Sequence, residues 1–423
     1  MRTRVIPVAV ALFATPLMAQ QAPRTLPAPQ AEFEEPFSQI GGLRELRDGR
    51  VIVSDPRDKV VSVIDFRSGS SAGIGREGSG PQEFGMPMRL YTAPGDTTLL
   101  FDPLNSRFLI IGPDAKPINT FMLEDGAPPP RPPAAPGGQG RPQGGPAGGG
   151  FQMIGGGFVA RAADARGRLY GEGSPITPGP NGPVVADSVP LLRLDRGTRR
   201  MDTLAYITLP KSNTQISGGA NNQRIMIGGA NPLAPRDEWA VFPDGRVAIA
   251  RARTYHIDFI APDGSKRSGP RIAYTPVRMN AAEIRHEEGL RNAARANSMS
   301  IMVNNNNGQI TRSAQMGPGA NAPPLEPLTD WPEVKPPFRS GVSSVWARPN
   351  GELWVRRTEN AQARGTLYDV INAQGAVVFQ VRLEDGVNLA GFGANTIYTT
   401  RKDEDDLVYL RRHSAAEIPL RGN

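Results

Sequence analysis

Asp48-Gly49-Arg50-Val51-Ile52-Val53-Ser54-Asp55-Pro56 is followed by an apolar run from Val60 to Ile64 that closes on Asp65. The same phrase returns as Gly95-Asp96-Thr97-Thr98-Leu99-Leu100-Phe101-Asp102-Pro103, with its own run from Phe108 to Ile111. The two copies stand 47 residues apart and align without a gap from Asp55/Asp102 to Ile64/Ile111. A fixed period of that size is the mark of repeated supersecondary units.

Four degraded copies follow. Gly167-Arg168-Leu169-Tyr170 leads to Leu191–Asp195, and Asp244-Gly245-Arg246-Val247 leads to Tyr255–Ile260. Asn350-Gly351-Glu352-Leu353-Trp354-Val355 leads to Leu367–Ile371, and Asn395-Thr396-Ile397-Tyr398 leads to Leu407–Leu410. The Asp-Gly and Asn-Gly pairs supply the positive φ of tight hairpin turns, and the β-branched and aromatic residues around them suit pleated strands. A strand precedes each turn and another usually follows the second run. These observations predict an all-β fold: a six-bladed β-propeller with four-stranded antiparallel blades.

Two insertions interrupt the repeat. From Gly126 to Gly150, 17 of 25 residues are Gly or Pro without any apolar face, which predicts a disordered insertion. Residues 280–336 form a second insertion, with a short helix predicted over 280–300, Asn280 as its N-cap, and loop around Asn304 to Asn307 and from 317 to 327. A further Gly/Asn-rich stretch, Ser212 to Pro235, separates the third and fourth units. The propeller domain is expected over 32–413, after a linker at 20–31 and before a tail at 414–423.

Arg2 and Arg4 precede an apolar run from Val5 to Leu17, and Ala19 offers a small residue at a cleavage point. This pattern predicts a Sec-type signal peptide, 1–19, and a periplasmic or secreted protein with no later membrane span. There is no cysteine, hence no disulfide framework and no lipidated N-terminal thiol. The net charge of +7 is spread among acidic residues and not gathered with aromatics on one stretch, which argues against a nucleic-acid partner.

The run Gly75-Arg76-Glu77-Gly78-Ser79-Gly80-Pro81-Gln82-Glu83-Phe84, the Asp-Pro phrases and Pro336-Pro337-Phe338-Arg339 together resemble exported six-bladed propellers of the broad TolB-like and NHL-like group. The resemblance implies ring closure by an N-terminal strand paired into the last blade, and Ala31 to Phe37 is the segment available for it. It implies no single activity, since the group holds scaffolds, ligand binders, lactonases and lyases.

Several motifs fail on context. Gly73-Ile74-Gly75-Arg76-Glu77-Gly78 matches a dinucleotide fingerprint and Gly69-Ser70-Ser71-Ala72-Gly73 a nucleophile elbow, but both need a following helix where Pro81 and strand patterning stand. His256, His286 and His413 lack neighbours at metal-ligand spacing. Asp55, Asp102, Asp195, Asp258 and Asp369 recur so regularly that turn capping explains them better than a cation site. Arg76, Glu77, Glu83, Phe84 and Arg339 remain as candidate ligand-binding residues, because loops between blades cross a propeller face near its channel. The expected function is a monomeric, non-enzymatic binder of an envelope protein, peptide or glycan without a cofactor. The alternative is a lactonase or lyase in the channel, using a divalent cation that no motif here supports.

Overall fold

In a computed structural model of the chain, residues 22–122, 158–179, 182–210, 214–217, 224–227, 231–296, 299–306, 309–317, 325, 327–341, 344–416 and 418 are described. Residues 1–19, expected as a signal peptide, and the Gly/Pro-rich insertion 126–150 lie outside them.

The six repeats form six four-stranded antiparallel blades. Blade 1 runs from inner to outer strand as Gly42–Glu45, Val51–Asp55, Val60–Asp65 and Ser70–Gly73. Blades 2, 3, 4 and 5 begin with the inner strands Arg89–Thr92, Val159–Ala163, Glu238–Val241 and Val345–Ala347 and repeat the order. In blade 6 the chain supplies Val387–Phe392, Thr396–Lys402 and Val408–Ser414, and the fourth strand is Ala31–Glu32 from the N-terminus. The closure continues through Phe33, whose N–H donates to the Leu410 carbonyl at 2.9 Å, and the Phe37–Val408 bridge. Glu32 adds ion pairs to Arg401 at 2.8 Å and Arg411 at 2.5 Å.

Alternation along each strand is two-sided because a blade is buried on both faces. Val51, Val53 and Ile64 face blade 6, where they meet Phe33, Tyr398 and Leu410. Ile52 and Val61 face blade 2, against Leu100, Leu109 and Ile111. Each of the six gaps between blades holds its own apolar cluster, so stability comes from neighbour-on-neighbour packing around the ring. Of the recurring aspartates, Asp55 caps its turn by accepting from the N–H groups of Arg57 and Asp58, and Asp195 from that of Thr198; Asp102 accepts from the Gly85 and Met86 N–H groups of the incoming connection, while Asp258 pairs with Arg251 and Asp369 with Arg357.

Four details differ from expectation. The stretch around Asn304 is a hairpin of Met299–Asn306 and Gln309–Met316, not loop. Short hairpins also occupy Ile176–Gly179 with Gly182–Val185, and Thr214–Ser217 with Arg224–Ile227. The linker at 20–31 contributes a fifth, parallel strand to blade 5, Arg24–Thr25 on Val377–Leu383. The tail after Ser414 is held down by Ala415 and Ile418, both buried between blades 5 and 6. The helix forms as Ala281–Ala296, with Asn280 Oδ1 accepting from the N–H groups of Ala282 and Glu283.

Strand direction sorts the connections onto two faces. Turns from first to second and from third to fourth strands lie on one face, and each is three to five residues long. The five longest connections, 74–88, 123–158, 173–187, 209–237 and 269–344, all join strand ends on the opposite face. An antiparallel blade with an even number of strands delivers its chain to the next blade from the side where it entered, so every inter-blade insertion falls on that side.

Candidate functional site: the cationic mouth of the channel

The six inner strands enclose a channel of about 380 Å³, walled by Arg89, Tyr91, Arg161, Trp239, Trp346 and Phe392 among small residues. A second cavity of about 380 Å³ adjoins it between blades 6 and 1, with Gln39, Arg57, Asn388, Thr400 and Lys402 in its wall. The two share Gly41, Gly42, Trp346 and Ala390. Both glycines are required by close approach: a Cβ on Gly41 would lie 2.6 Å from the Met88 carbonyl oxygen, and one on Gly42 2.6 Å from the Leu90 nitrogen. Blade 1 thereby comes against blade 2 with room left beside Trp346.

Among the described residues the charged side chains in these two walls are Arg57, Arg89, Arg161 and Lys402, with no Asp or Glu. Arg161 is neutralised from behind by a closed ring of four charges. It bonds Glu172 and, at 3.2 Å, Glu238; Arg236 bonds Glu172 at 2.5 Å and Glu238 at 3.3 Å. Trp239 Nε1 donates to Glu172 at 2.7 Å, the Arg161 guanidinium lies 5.1 Å from the Trp239 ring centroid, and the Gly341 N–H donates to Glu238 at 2.8 Å. The ring ties blade 3 to blade 4 and to the long connection entering blade 5.

Burial separates the two carboxyls. For Glu238, whose side chain is 2% exposed, desolvation outweighs Arg161, the Gly341 N–H and Arg236 and pushes its pKa up. For Glu172 desolvation acts in the same direction, but Arg161, Arg236 and Trp239 outweigh it and hold the carboxyl below its usual range. Lys402 has Asp406 at 3.0 Å. Among the described residues Arg57 and Arg89 have no carboxylate at ion-pair distance, so the uncompensated charge at this mouth is positive.

The residues singled out from sequence lie elsewhere on the long-loop face. Arg76–Glu77 and Glu83–Phe84 pair as a small parallel ribbon, with Arg76 Nε donating to Glu83 at 2.7 Å. The Gly80 N–H and Arg76 hold the Glu83 carboxyl below its ordinary pKa, and Glu77 pairs with Lys59. Arg107 clamps the loop by donating to the carbonyls of Gly80 at 2.7 Å and Glu83 at 2.8 Å. Phe84 is buried between blades 1 and 2. Arg339 is far off in sequence and structure: it donates to both carboxylate oxygens of Glu287 on the helix, at 2.6 and 2.5 Å. None of the five lines the channel or its side cavity. Ser71, of the elbow-like motif, lies in the strand Ser70–Gly73 and donates to Glu35 at 2.6 Å. His413 is buried, its Nδ1–H donating to the Pro27 carbonyl at 2.9 Å and its Nε2 bonded to the Thr399 hydroxyl at 2.8 Å, and burial lowers its pKa.

No family model matches this chain, and no curated protein matches it. Among solved structures it is similar to a putative exported protein from Bacteroides fragilis, at 10% identity, 92% of this chain, 94% of that one and a TM-score of 0.42. It is similar to a member of the duf4221 family from Bacteroides vulgatus, at 10% identity, the same coverages and a TM-score of 0.39. Streptogramin B lyase follows at 13% identity, 90% and 96% coverage and a TM-score of 0.31. Likenesses this distant assign no activity, and the propeller assignment rests on the six blades themselves.

Proposed function

We propose that this chain is an exported, non-enzymatic propeller of the TolB-like or NHL-like kind that binds a protein, peptide or glycan of the cell envelope through its long-loop face. One observation carries the proposal: the inner strands surround a channel whose wall is cationic and aromatic, with Glu172 and Glu238 paired to Arg161. Such a concave site with a few placed polar groups suits ligand capture. On the same face Arg76 and Glu77, 81% and 59% exposed, are assigned contacts with the partner outside the mouth, while Glu83, Phe84 and Arg339 hold two of the long connections in place.

The rival, a metal-dependent lactonase or lyase, has Glu172 and Glu238 in its favour, two adjacent carboxyls with pKa values driven apart. Both are already occupied by two guanidiniums, however, and among the described residues no three His, Asp or Glu side chains converge as a metal set. The test is affinity capture from an envelope extract with wild type, Trp346→Ala and, on the opposite face, Arg246→Ala. A partner captured by wild type and Arg246→Ala but lost with Trp346→Ala supports the proposal. No partner, or equal capture by all three, overturns it. Stoichiometric calcium, zinc or manganese whose removal abolishes a lactonase or lyase activity establishes the rival.

A further inference from the structure

From the wall of the mouth we infer that its ligand is a carboxylate-bearing molecule of one or two monomer units, held by Arg57 and Arg89 beside the Trp346 ring. This deepens the proposed function and rests on its assignment of the long-loop face as the binding face.

Size comes first. Two adjoining cavities of about 380 Å³ each, with Gly41, Gly42, Trp346 and Ala390 common to their walls, admit a small ligand or the end of a chain, not a folded partner's surface. Charge comes next. Four cations stand in the walls, two of which are compensated, Arg161 by Glu172 and Glu238 and Lys402 by Asp406. Arg57 lies on the turn after Val51–Asp55, whose Asp55 spends its carboxylate on backbone N–H groups, those of Gln39, Arg57 and Asp58. Arg89 opens the inner strand of blade 2 beside Tyr91, whose hydroxyl is committed to the Ala160 carbonyl at 3.0 Å. Among the described residues neither guanidinium has a carboxylate at ion-pair distance, and Arg89 has the Tyr91 phenol beside it.

A guanidinium fork matches a carboxylate in a plane, and in a partly enclosed site the pair is stronger than at an open surface. The third component is apolar. Trp346 is common to both cavities, with its ring set edge-on to Phe392 at 6.3 Å, so it is a fixed wall against which a ring or an aliphatic body rests. Asn388, Thr400 and Gln39 add neutral polar groups that suit hydroxyls or amides. The chemistry shared by sugar acids and by short peptides with a free carboxylate satisfies all three components.

Two probe series distinguish the sources: D-galacturonate against its methyl ester, and the dipeptide Ala-Phe against its C-terminal amide. Binding to the full-length mature protein is followed by intrinsic tryptophan fluorescence and by calorimetry. The expected result is saturable binding of the acid of one series, at least tenfold weaker binding of its neutral derivative, and a comparable loss, about tenfold, in Arg57→Gln and Arg89→Gln. Arg89→Lys, which keeps the charge but not the fork, is expected to retain an intermediate affinity, and unchanged melting temperatures show that the variants are folded. The inference is overturned if neither acid binds, if the neutral derivatives bind equally well, or if Arg57→Gln and Arg89→Gln leave the acid's affinity unchanged. Failure here is separable from failure of the proposed function: an envelope partner lost with Trp346→Ala but still captured by both Arg→Gln variants upholds the face and removes the anion, while acid binding without any captured partner does the reverse.

Discussion

Replacing Arg161 by alanine tests the four-charge ring that backs the channel wall. Glu238 loses its donor at 3.2 Å and keeps only Arg236 at 3.3 Å and the Gly341 N–H at 2.8 Å, while its side chain stays 2% exposed. Glu172 keeps Arg236 and Trp239. Breaking a buried pair from one side leaves an undercompensated charge, so Arg161→Ala is expected to cost about 3–5 kcal/mol at pH 7. The assay is urea unfolding followed by tryptophan fluorescence, read as a midpoint shift at constant slope.

The pH dependence gives the loss its signature. Glu238 has a raised pKa in the fold, so its contribution favours the folded state below the ordinary carboxyl pKa and fades as pH rises through the raised value. Glu172, lowered, contributes in the opposite sense: its stabilisation is present above the ordinary value and is lost as pH falls through the lowered one. Removing Arg161 moves both carboxyls upward. The variant's deficit is therefore largest near neutrality and shrinks on acidification, as Glu238 takes up a proton and stops being a buried charge. Arg161→Ala combined with Glu238→Gln is expected to recover about 2 kcal/mol of the loss. A deficit below about 1 kcal/mol, one that does not change with pH, or a double variant no more stable than the single would refute the ring as described.

Three further outcomes test the scaffold around the mouth. Phe33→Ala removes a side chain that packs on Phe66 at 6.0 Å and Phe37 at 6.3 Å in the gap closed by the N-terminal strand; it should cost about 3–5 kcal/mol in equilibrium unfolding, and a loss near that of an exposed site would show that the closure contributes little. Asp369→Ala strips Arg357 of its carboxylate at 2.9 Å and frees the hydroxyl of Tyr255, whose pKa burial holds well above its ordinary value, so blades 4 and 5 should loosen by about 3–5 kcal/mol, measured in the same way. Lys335→Met leaves Glu283 and Glu287 without the ammonium that sits 2.7 Å from each. Faster amide exchange over Ala281–Ala296 with unchanged exchange in blade 1 is expected, and equal protection throughout would show that the helix docks without this lysine.

Much of the fold was legible because its determinants are local. The Asp-Gly and Asn-Gly turns act over two to four residues and the pleat over two, so Gly49, Gly245 and Gly351, all at positive φ, announced hairpins directly. Asn280 announced the helix start for the same reason. The hairpin strand Met299–Asn306 reads as loop in the sequence because the asparagines there mask the alternation. The pairing of Arg24–Thr25 with blade 5 had no local mark at all: it joins residues more than 350 positions apart.

The candidate site divides along the same line. The loop holding Arg76, Glu77, Glu83 and Phe84 stood out because its sequence departs from the repeat, yet a departure can be a packing device, and here Arg107 and the gap between blades 1 and 2 hold much of it. By itself the sequence determined six blades, their turns, the closing segment near Ala31, and the order in which insertions interrupt the ring. Only the tertiary structure decided that all those insertions share one face, and that Arg57, Arg89, Arg161, Trp239, Trp346 and Lys402 meet at one mouth. The physical reason is circular closure: each blade contributes one of these side chains, so neighbours around the channel are separated in sequence by whole blades and leave no spacing to read.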